Sequence, residues 1–357
     1  MLYFRGGERR MYTFKQFLKD KKSVRLGYLG GSITAGSGAS SPEKCWRCRT
    51  EKELGEMFPD IEFTGIDAAI GGTGSDLGVF RMDEDLMKYN PDFVFVEFAV
   101  NDSALQNTDV YMEGIVRKIL KKDKNIPIVF VYTLTQKTIA EGYASGKLPM
   151  AVAKQQALAE KYGIPSINIG LAIYEEMQKT GNGIEAYTVD TVHPNDTGYD
   201  LYTKRIMREL FEILFDIEMP ETPVTGRDLS GAGMVLANGF ANANWKLSVN
   251  KMYKNLPNYI YSNVPGDELE FSFEGSAIGL YFTMEKDSGN FEYSIDGGAP
   301  RIWQTWDKYC RDFNRDNSKI LDDTLSFGKH TLKIRILKDK EPDSEGTYIR
   351  IGAFLVG

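Results

Sequence analysis

The sequence predicts an α/β domain followed by an all-β domain. Four observations carry this prediction. In the first two thirds of the chain, apolar strand-like runs alternate with amphipathic helix-like stretches. The strand-like runs are apolar on both faces, and beyond residue 219 the runs become short and alternate between apolar and polar residues. A chain of 357 residues is also longer than one ordinary hydrophobic core supports, so two domains are expected.

The first part of the chain predicts a parallel sheet. Its strand-like runs cover residues 24–29, 61–70, 93–100, 126–134 and 166–169. The run FVFVEFAV is apolar on both faces, which is typical of a strand covered by helices on both sides. Helix-like stretches lie at 50–57, 77–89, 110–121, 151–162 and 199–215. This alternation of strand and helix predicts a parallel sheet with right-handed crossovers.

The segment MPETPVTGRDLSGAG, residues 219–233, is rich in Pro, Gly and Thr and predicts a linker. We therefore expect a first domain at 1–218 and a second domain at 234–357. In the second domain, short runs such as ELEFSF, FEYSI and HTLKIRIL are separated by turn signals such as Asp-Gly-Gly. This pattern is typical of a β-sandwich or jelly roll.

Composition and charge favour a globular protein that does not bind nucleic acid. Hydrophobic residues make up 42% of the chain and charged residues 26%, as in ordinary globular proteins. The formal net charge is -7, whereas nucleic-acid-binding domains usually carry a basic face. The densest basic cluster lies at the end of a predicted helix, where a solvated helix terminus explains it. Its members are Arg117, Lys118, Lys121, Lys122 and Lys124.

The sequence predicts no membrane span, because its apolar runs stop at about ten residues. The amino terminus, MLYFRGGERRMYTF, lacks the apolar core of a secretory signal. Three cysteines without an export signal are typical of a reduced protein, so we expect a cytoplasmic location.

Cysteine spacing predicts neither a metal nor a cofactor. Cys45 and Cys48 form a CxxC pair, but Cys310 is far away in the sequence. A structural zinc site needs four ligands, and besides its cysteines the chain has only two histidines that could serve as ligands. Two buried thiols one helical turn apart are favoured over a redox pair.

The stretch YLGGSITAG, residues 28–36, places a serine behind two glycines directly after the first strand-like run. A phosphate-binding P-loop requires Gly-Lys-Ser/Thr, and this stretch has no lysine. The glycine spacing does not fit the dinucleotide fingerprint GxGxxG either. The GxSxG elbow is also excluded, since Thr34 occupies its last position. Two interpretations of this stretch stay open: Ser32 is a nucleophile, or the residues only turn the chain.

A serine nucleophile requires a histidine base, and that histidine requires a carboxylate partner. His193 lies in VDTVHPNDTGYDLY, three residues after Asp190, so both side chains can point into one cleft. The other histidine, His330, begins a strand of the second domain and is interpreted as a surface or turn residue. By itself, the DxxHP pattern fits a structural loop about as well as it fits a catalytic pair.

Four blocks decide between these interpretations. They are the Ser32 block, AAIGGTGS at 68–75, VEFAVND at 96–102 and DTVHP at 190–194. They follow successive predicted strands at the sheet edge where open α/β sheets place their sites. With these four blocks in order, residues 23–215 resemble the SGNH hydrolases, also called the GDSL esterase and lipase family. The resemblance implies a flavodoxin-like α/β fold.

The resemblance also implies roles for individual residues. It implies Ser32 as the nucleophile, His193 as the general base and Asp190 as the partner of that base. The oxyanion hole would consist of the backbone N–H groups of Ser32 and Gly72 and the side-chain amide of Asn101.

Two residues depart from the usual family blocks. Gly31 replaces the aspartate of GDS, and Ala99 replaces the glycine of GxND. Neither residue takes part in the proton transfers, so these departures bear on the subfamily more than on activity.

The domain order resembles bacterial carbohydrate esterases in which a jelly roll like a carbohydrate-binding module accompanies the SGNH domain. Among these, the chain resembles the acetylesterases of carbohydrate esterase family seventeen. It implies an acetylated oligosaccharide as substrate, with mannan favoured over xylan. The alternatives are a thioesterase or lysophospholipase and a non-catalytic glycan-binding protein. No nucleic-acid or membrane partner is expected, and a homodimer stays open.

Aromatic residues offer candidates for sugar contacts, because aromatic rings stack on the C–H faces of sugars. Trp303, Trp306 and Tyr309 occur at three-residue spacing in RIWQTWDKYCRDF. For these rings, packing in the core is the favoured interpretation. Trp46 follows the nucleophile block, and for it a cleft position and a core position are equally supported.

Overall fold

The computed structural model describes residues 11–249 and 256–357. The chain divides into two compact units, Met1–Gly231 and Ala232–Gly357. Residues 1–10, on which the prediction about a secretory signal depends, lie outside the described residues. No helix in the described parts of the chain is long and apolar enough to cross a membrane.

The first unit is built on a five-stranded sheet in which all neighbouring strands are parallel. The first unit has seven described strands, five of which form this main sheet. The strands are β1 Tyr12–Thr13, β2 Ser23–Gly30, β3 Glu62–Ala69, β4 Phe93–Glu97, β5 Ile128–Tyr132, β6 Ser166–Asn168 and β7 Leu214–Phe215. The order in the main sheet is β3-β2-β4-β5-β6, while β1 and β7 form a separate antiparallel pair. This is the flavodoxin-like order, so the predicted fold class is confirmed.

Helices cover both faces of this sheet, as the continuous apolar strands predicted. They are α1 Phe14–Leu18, α2 Ser32–Ala35, α3 Trp46–Met57, α4 Ser75–Asp85, α5 Thr108–Lys122, α6 Gln136–Glu141, α7 Met150–Tyr162, α8 Gly170–Thr180 and α9 Asp196–Leu210. All five residues of β4 are buried, which explains why this strand shows no polar alternation.

Helix α9 begins earlier than the predicted range of 199–215 because Asn195 caps it. The Asn195 side chain accepts hydrogen bonds from the backbone N–H groups of Thr197 at 3.0 Å and Gly198 at 3.1 Å. Such a cap satisfies N–H groups that have no partner inside the helix. The cap also fixes the start of α9 directly after the segment that carries His193.

Residues within the segment 219–231 are anchored to the first unit. The carboxylate of Glu113 on α5 is fully buried and accepts hydrogen bonds from the backbone N–H groups of Val224 at 2.7 Å and Thr225 at 2.8 Å. The hydroxyl of Tyr162 also donates to this carboxylate. Arg117 donates to the carbonyl of Pro220 at 2.9 Å. A buried carboxylate is stable only when such donors surround it.

The second unit contains two antiparallel sheets. Its strands are β8 Gly233–Leu236, β9 Lys246–Val249, β10 Asn258–Ser262, β11 Glu268–Gly275, β12 Ile278–Met284, β13 Asn290–Ile295, β14 Arg301–Gln304, β15 Arg315–Asp322, β16 Gly328–Ile336 and β17 Ile349–Val356. One sheet has the order β15-β12-β17-β10-β9, with β8 also pairing β17, and the other has the order β11-β16-β13-β14.

The two sheets of the second unit share one hydrophobic core. Strand β11 alternates strictly between exposed and buried residues, and its Phe271 ring stacks on Phe354 of the opposite sheet at 3.9 Å between ring centroids. The predicted all-β sandwich is therefore confirmed.

Candidate active site

The site lies where the strand order of the main sheet reverses. The first strand of this sheet along the chain, β2, lies between β3 and β4, so the loops that follow β2 and β4 leave the sheet in a shared crevice. Open α/β sheets place ligands at this point. Ser32 follows β2 and Asn101 follows β4, so the sheet topology alone brings these two residues together.

Ser32, His193 and Asp190 form a continuous chain of hydrogen bonds. The Oγ atom of Ser32 lies 2.8 Å from Nε2 of His193. The Nδ1 atom of His193 lies 2.7 Å from Oδ2 of Asp190. With Nδ1 donating its proton to Asp190, Nε2 is left with the lone pair that faces the serine hydroxyl.

The turn from Asp190 to His193 is stabilised by the same carboxylate. Oδ1 of Asp190 accepts hydrogen bonds from the backbone N–H groups of His193 at 2.8 Å and Val192 at 3.1 Å. Thr191 adopts a φ of 68°, a left-handed conformation that is unusual for a β-branched residue. Its carbonyl accepts a hydrogen bond from the backbone N–H of Gln136 at 3.0 Å, which fixes the turn against the start of α6.

The pKa of Asp190 is lowered. Partial burial acts to raise the pKa of this carboxyl, but the hydrogen bonds from the backbone of His193, from its ring and from the backbone of Val192 outweigh that effect. Asp190 is therefore a carboxylate that can hold the imidazole in one tautomer and stabilise it when it becomes protonated.

The loop after the nucleophile is anchored to the start of α9. The carboxylate of Asp196 accepts hydrogen bonds from Ser40, through its backbone N–H at 2.9 Å and its hydroxyl at 2.7 Å. Lys44 donates to the same carboxylate at 2.7 Å, and these hydrogen bonds lower the pKa of Asp196. The hydroxyl of Tyr199 donates to the carbonyl of Ser37 at 2.7 Å. These contacts fix the distance between the serine loop and the histidine segment.

Gly38 lets the serine loop approach His193 closely. Its φ of 90° is in the left-handed region, and a Cβ at this position would lie 3.0 Å from the Cβ of His193. A larger residue would therefore strain the backbone and push against the histidine.

The segments that carry Gly72 and Asn101 also reach Ser32. A Cβ at Gly71 would lie 3.7 Å from the Cβ of Ser32, so the Gly71–Gly72 turn borders the serine. Gly72 has a φ of 75°, and a Cβ at this residue would meet no neighbouring atom within 4 Å, so its outer side is open. The side-chain amide of Asn101 lies against Gly31. All five predicted catalytic and oxyanion residues therefore converge at one place.

Asp102 joins the two segments that carry the oxyanion candidates. Its buried carboxylate accepts a hydrogen bond from the backbone N–H of Ser75 at 2.8 Å, and Ser75 begins the helix that follows the Gly72 turn. It also accepts hydrogen bonds from Thr108 at 2.5 Å and Gln155 at 2.8 Å. Burial raises the pKa of Asp102 to about 7, although the hydrogen bonds from Thr108 and Ser75 oppose the rise.

Glu97 is a buried residue beneath the nucleophile turn that sequence reasoning missed. Its carboxylate accepts hydrogen bonds from the hydroxyls of Thr34 at 2.7 Å and Thr133 at 2.8 Å. Burial raises the pKa of Glu97, while these hydroxyls and the backbone N–H groups of Gly31 and Thr34 act to lower it. The signal in the sequence was a single carboxylate inside the apolar run FVFVEFAV.

Trp46 lies in the hydrophobic core of the first unit. It is fully buried, and its ring contacts Tyr28 at 5.2 Å and Phe95 at 5.8 Å between centroids, both edge to face. The core position, one of the two predicted alternatives, is the observed one, so this ring has no face open to a sugar.

The aromatic residues of the second unit differ in exposure. Trp306 is buried in the core of this unit, and Trp303 is half-buried against the same core. Lys319 lies over the Trp303 ring with its ammonium 4.1 Å from the ring centroid. Tyr309 is 49% exposed. Of the predicted sugar contacts, Trp306 has no open ring face, whereas Trp303 and the neighbouring Tyr309 are accessible in part.

His330 is engaged within the second unit. Its Nδ1 lies 2.6 Å from Asp296 and its Nε2 lies 2.8 Å from the carbonyl of Ser326. Within residues 11–249 and 256–357, no group of three or more His, Cys, Asp or Glu side chains is placed to hold a metal ion. The three cysteines are free thiols, and burial raises the pKa of Cys48 to about 12.

Comparison with known proteins gives a family match and similar structures. Residues 28–201 match the model of the GDSL-like Lipase/Acylhydrolase family. No curated protein matches the sequence. A two-domain esterase (CEX) active on acetylated mannans, crystallised with mannopentaose, is similar with a TM-score of 0.80 and 22% identity, over 96% of this chain and 92% of that chain.

Two further structures are similar. A second crystal structure of a two-domain esterase (CEX) active on acetylated mannans has a TM-score of 0.78 and 22% identity, over 96% of this chain and 93% of that chain. Axe2, an acetylxylan esterase from Geobacillus stearothermophilus, has a TM-score of 0.44 and 19% identity, over 54% of this chain and 96% of that chain. At these identities the likeness to CEX shows a shared two-domain fold.

The family match covers the strands and loops that carry the whole candidate site from Ser32 to His193. Its limits also agree with the flavodoxin-like sheet of the first unit. Through residues 28–201 of this unit, the chain matches the GDSL-like Lipase/Acylhydrolase family, also called the SGNH hydrolases, and this match supports a carboxylic ester hydrolase.

Proposed function

We propose that this protein is a serine esterase that removes O-acetyl groups from oligosaccharides derived from plant polysaccharides, with mannan as the preferred backbone and xylan as the second. The observation that carries the proposal is the hydrogen-bond chain from Ser32 through His193 to Asp190, with distances of 2.8 and 2.7 Å. This arrangement supplies a nucleophile, a base and a group that orients the base.

In the first half of the reaction, Oγ of Ser32 attacks the ester carbonyl carbon while Nε2 of His193 takes the hydroxyl proton. The Asp190 carboxylate stabilises the imidazolium that results. His193 then gives this proton to the sugar oxygen, the C–O bond breaks, and the deacetylated sugar leaves an acetyl-serine. Serine reacts only with such a base, because its hydroxyl is a poor nucleophile at neutral pH.

In the second half, His193 takes a proton from water, and the hydroxide attacks the acetyl-serine. The same imidazolium returns the proton to Oγ of Ser32 as acetic acid leaves, which ionises to acetate in water. In both halves, negative charge develops on the former carbonyl oxygen. We assign its stabilisation to the backbone N–H groups of Ser32 and Gly72 and to the side-chain amide of Asn101.

The substrate proposal rests on the domain arrangement. The chain resembles CEX, an esterase active on acetylated mannans, over 96% of its length, which includes the second unit. We assign catalysis to the domain at 1–218 and a role like that of a carbohydrate-binding module to the domain at 234–357. Trp303 is the candidate sugar contact of the second domain, because its ring is only half-buried.

The experiment that tests the chemistry is replacement of the nucleophile. We expect Ser32→Ala to reduce the turnover of p-nitrophenyl acetate to the rate without enzyme. Ser37→Ala is the matched control, since Ser37 lies on the same loop and has no part in the hydrogen-bond chain. Equal turnover by wild type and Ser32→Ala would remove the serine mechanism.

The experiment that tests the substrate is mass spectrometry of acetylated mannan and xylan oligosaccharides before and after treatment. We expect successive losses of acetyl groups, faster from mannan oligosaccharides. Comparison of acetyl and octanoyl p-nitrophenyl esters separates this activity from a thioesterase or lysophospholipase. Faster hydrolysis of the octanoyl ester would contradict the proposal.

A further inference from the structure

A cavity of about 210 Å³ in the first unit is lined in part by residues close to Asn101 along the chain, and it has no role in the chemistry proposed above. Its lining residues are Ala99, Ser103, Glu141, Pro149, Met150 and Ala151. We refer to it as the Asn101 cavity, because Ala99 and Ser103 each lie two residues from Asn101 along the chain.

Helix α6 connects this cavity to the histidine segment. At the start of α6, the backbone N–H of Gln136 donates to the carbonyl of Thr191, two residues before His193. At its end, Glu141 lines the cavity. Six helical residues span about 9 Å, so α6 places Glu141 roughly that far from the contact with Thr191.

The lining combines apolar and polar groups. Pro149 and Met150 supply apolar surface, while Glu141 supplies a carboxylate and Ser103 a hydroxyl. A fatty acyl chain bound here would desolvate these polar groups without giving them a partner, which costs free energy. A pyranose ring offers hydroxyls to the carboxylate and C–H groups to the apolar side chains.

The size of the cavity limits what it can hold. Pockets for drug-sized ligands usually measure about 300 to 1,000 Å³, and the Asn101 cavity is smaller. It therefore suits one ring better than several. Ala99, which stands where the family motif has glycine, adds a methyl group to its wall. The alanine that departs from the family motif therefore lies in the wall of this cavity.

We infer that the Asn101 cavity is a glycosyl subsite, in which Glu141 binds the hydroxyls of one pyranose ring of the acetylated oligosaccharide. This inference rests on the proposed esterase function. Glu141 is suited to the role because its side chain is 44% exposed and its ion pair with Lys137, at 3.4 Å, lies within the same helix. A carboxylate held in this way can still accept hydrogen bonds from a ligand.

The test measures inhibition of p-nitrophenyl acetate hydrolysis by unacetylated mannotriose and xylotriose. We expect wild type to be inhibited competitively by at least one of them. In Glu141→Gln and Met150→Ala, the inhibition constant should rise about tenfold, as expected for a lost hydrogen bond to a charged group or a lost apolar contact. Without sugar, turnover should stay within about twofold of wild type, because neither residue takes part in the proton transfers.

Lys137→Gln is the matched control, since it breaks the same ion pair without changing the cavity lining. It should be inhibited like wild type. Wild type that neither trisaccharide inhibits at millimolar concentration would overturn the subsite, and so would equal inhibition of all variants. Variants that slow hydrolysis equally with and without sugar would also overturn it. Failure of the esterase proposal is separate, since it appears as turnover that survives Ser32→Ala.

Discussion

The side-chain amide of Asn101 occupies the space that a side chain at Gly31 would need. Oδ1 of Asn101 lies within contact distance of the position of a Cβ at residue 31, and its Cγ lies 3.1 Å from that position. Real Cβ atoms essentially never come within 3.0 Å of another atom, and Oδ1 lies closer than that to the position of the Cβ. Any side chain at residue 31 therefore displaces the amide. The absence of a side chain at Gly31 thus allows Asn101 to lie directly against the nucleophile turn.

Gly31→Ala should therefore lower kcat more than it lowers stability. The displaced atom is the end of a side chain, and the φ of -96° at residue 31 is one that alanine adopts, so the fold should tolerate the change. Loss of a single oxyanion donor costs about 10²- to 10³-fold in kcat, and we expect a displaced Asn101 to cost about tenfold to a hundredfold. Steady-state kinetics and thermal unfolding check the two expectations.

A double-mutant cycle identifies the cause. If Gly31 acts through Asn101, then adding Gly31→Ala to Asn101→Ala should change kcat by less than about twofold, because the displaced group is already absent. Fully additive losses would show that residue 31 acts on the turn itself.

Replacing His193 should reduce activity more than replacing Asp190. His193→Ala removes the base, whereas Asp190→Asn removes only the group that orients and stabilises it. A triad carboxylate that is buried is worth about 10⁴-fold in kcat. The Asp190 side chain is 50% exposed, so water screens its charge and we expect a loss of about a hundredfold. Equal losses in the two variants would contradict a purely supporting role.

The lowered pKa of Asp190 fixes the form of the pH profile. Because the pKa lies below the ordinary value, this carboxylate stays ionised down to acid pH, and its support of the imidazole is lost only as pH falls through that lowered value. Above about pH 5, protonation of Asp190 should therefore not lower activity, and kcat/KM of wild type and of Asp190→Asn, each normalised to its maximum, should fall with the same slope on the acid side. A steeper fall in wild type than in Asp190→Asn would contradict this expectation.

Glu97 should stabilise the fold through the groups it joins. Glu97→Ala leaves the buried hydroxyls of Thr34 and Thr133 without their acceptor, at about 1 to 3 kcal/mol each. We therefore expect the free energy of unfolding in urea to fall by about 2 to 6 kcal/mol. Glu62→Ala, at an exposed position of β3, is the control and should change it by less than about 0.5 kcal/mol. Equal effects would mean that Glu97 contributes nothing through these contacts.

Asp102 should make stability depend on pH. Its pKa is about 7 in the folded protein, above the ordinary 3.8, so the folded state keeps a proton that the unfolded state has released. Its contribution is greatest below about pH 4 and is lost as pH rises toward 7, by up to about 1.4 kcal/mol per pH unit.

Asp102→Asn does not titrate, so its free energy of unfolding should decline less between about pH 4 and 7 than that of wild type. Urea unfolding at several pH values measures the difference. Asp60→Asn, at an exposed position, should keep the wild-type slope. Parallel slopes for wild type and Asp102→Asn would exclude the proton linkage.

The sequence predicted the order of elements well because buried parallel strands leave long apolar runs. It predicted their ends less well. The run 93–100 is entirely apolar apart from Glu97, yet β4 ends at Glu97. Burial of Phe98 and Ala99 comes from the turn that follows, and hydrophobicity alone does not distinguish such a turn from a strand.

The residues of the candidate site that lie in sequence motifs could be predicted. The contacts between residues far apart in the sequence could not. Ser32, Asn101 and His193 lie in blocks that can be recognised along the chain. The link between Ser40 and Asp196 joins residues 156 positions apart, and no local pattern indicates it. Such contacts follow from the folded sheet, so only coordinates reveal them.

The burial of Glu113 has a consequence for where the first domain can be cut. A fragment that stops at residue 218 would lose Val224 and Thr225, which donate to this carboxylate, and would keep an interior negative charge without those donors. A fragment that continues through Gly231 retains them. Residues 219–231 therefore belong thermodynamically to the first unit and should resist proteases up to Gly231.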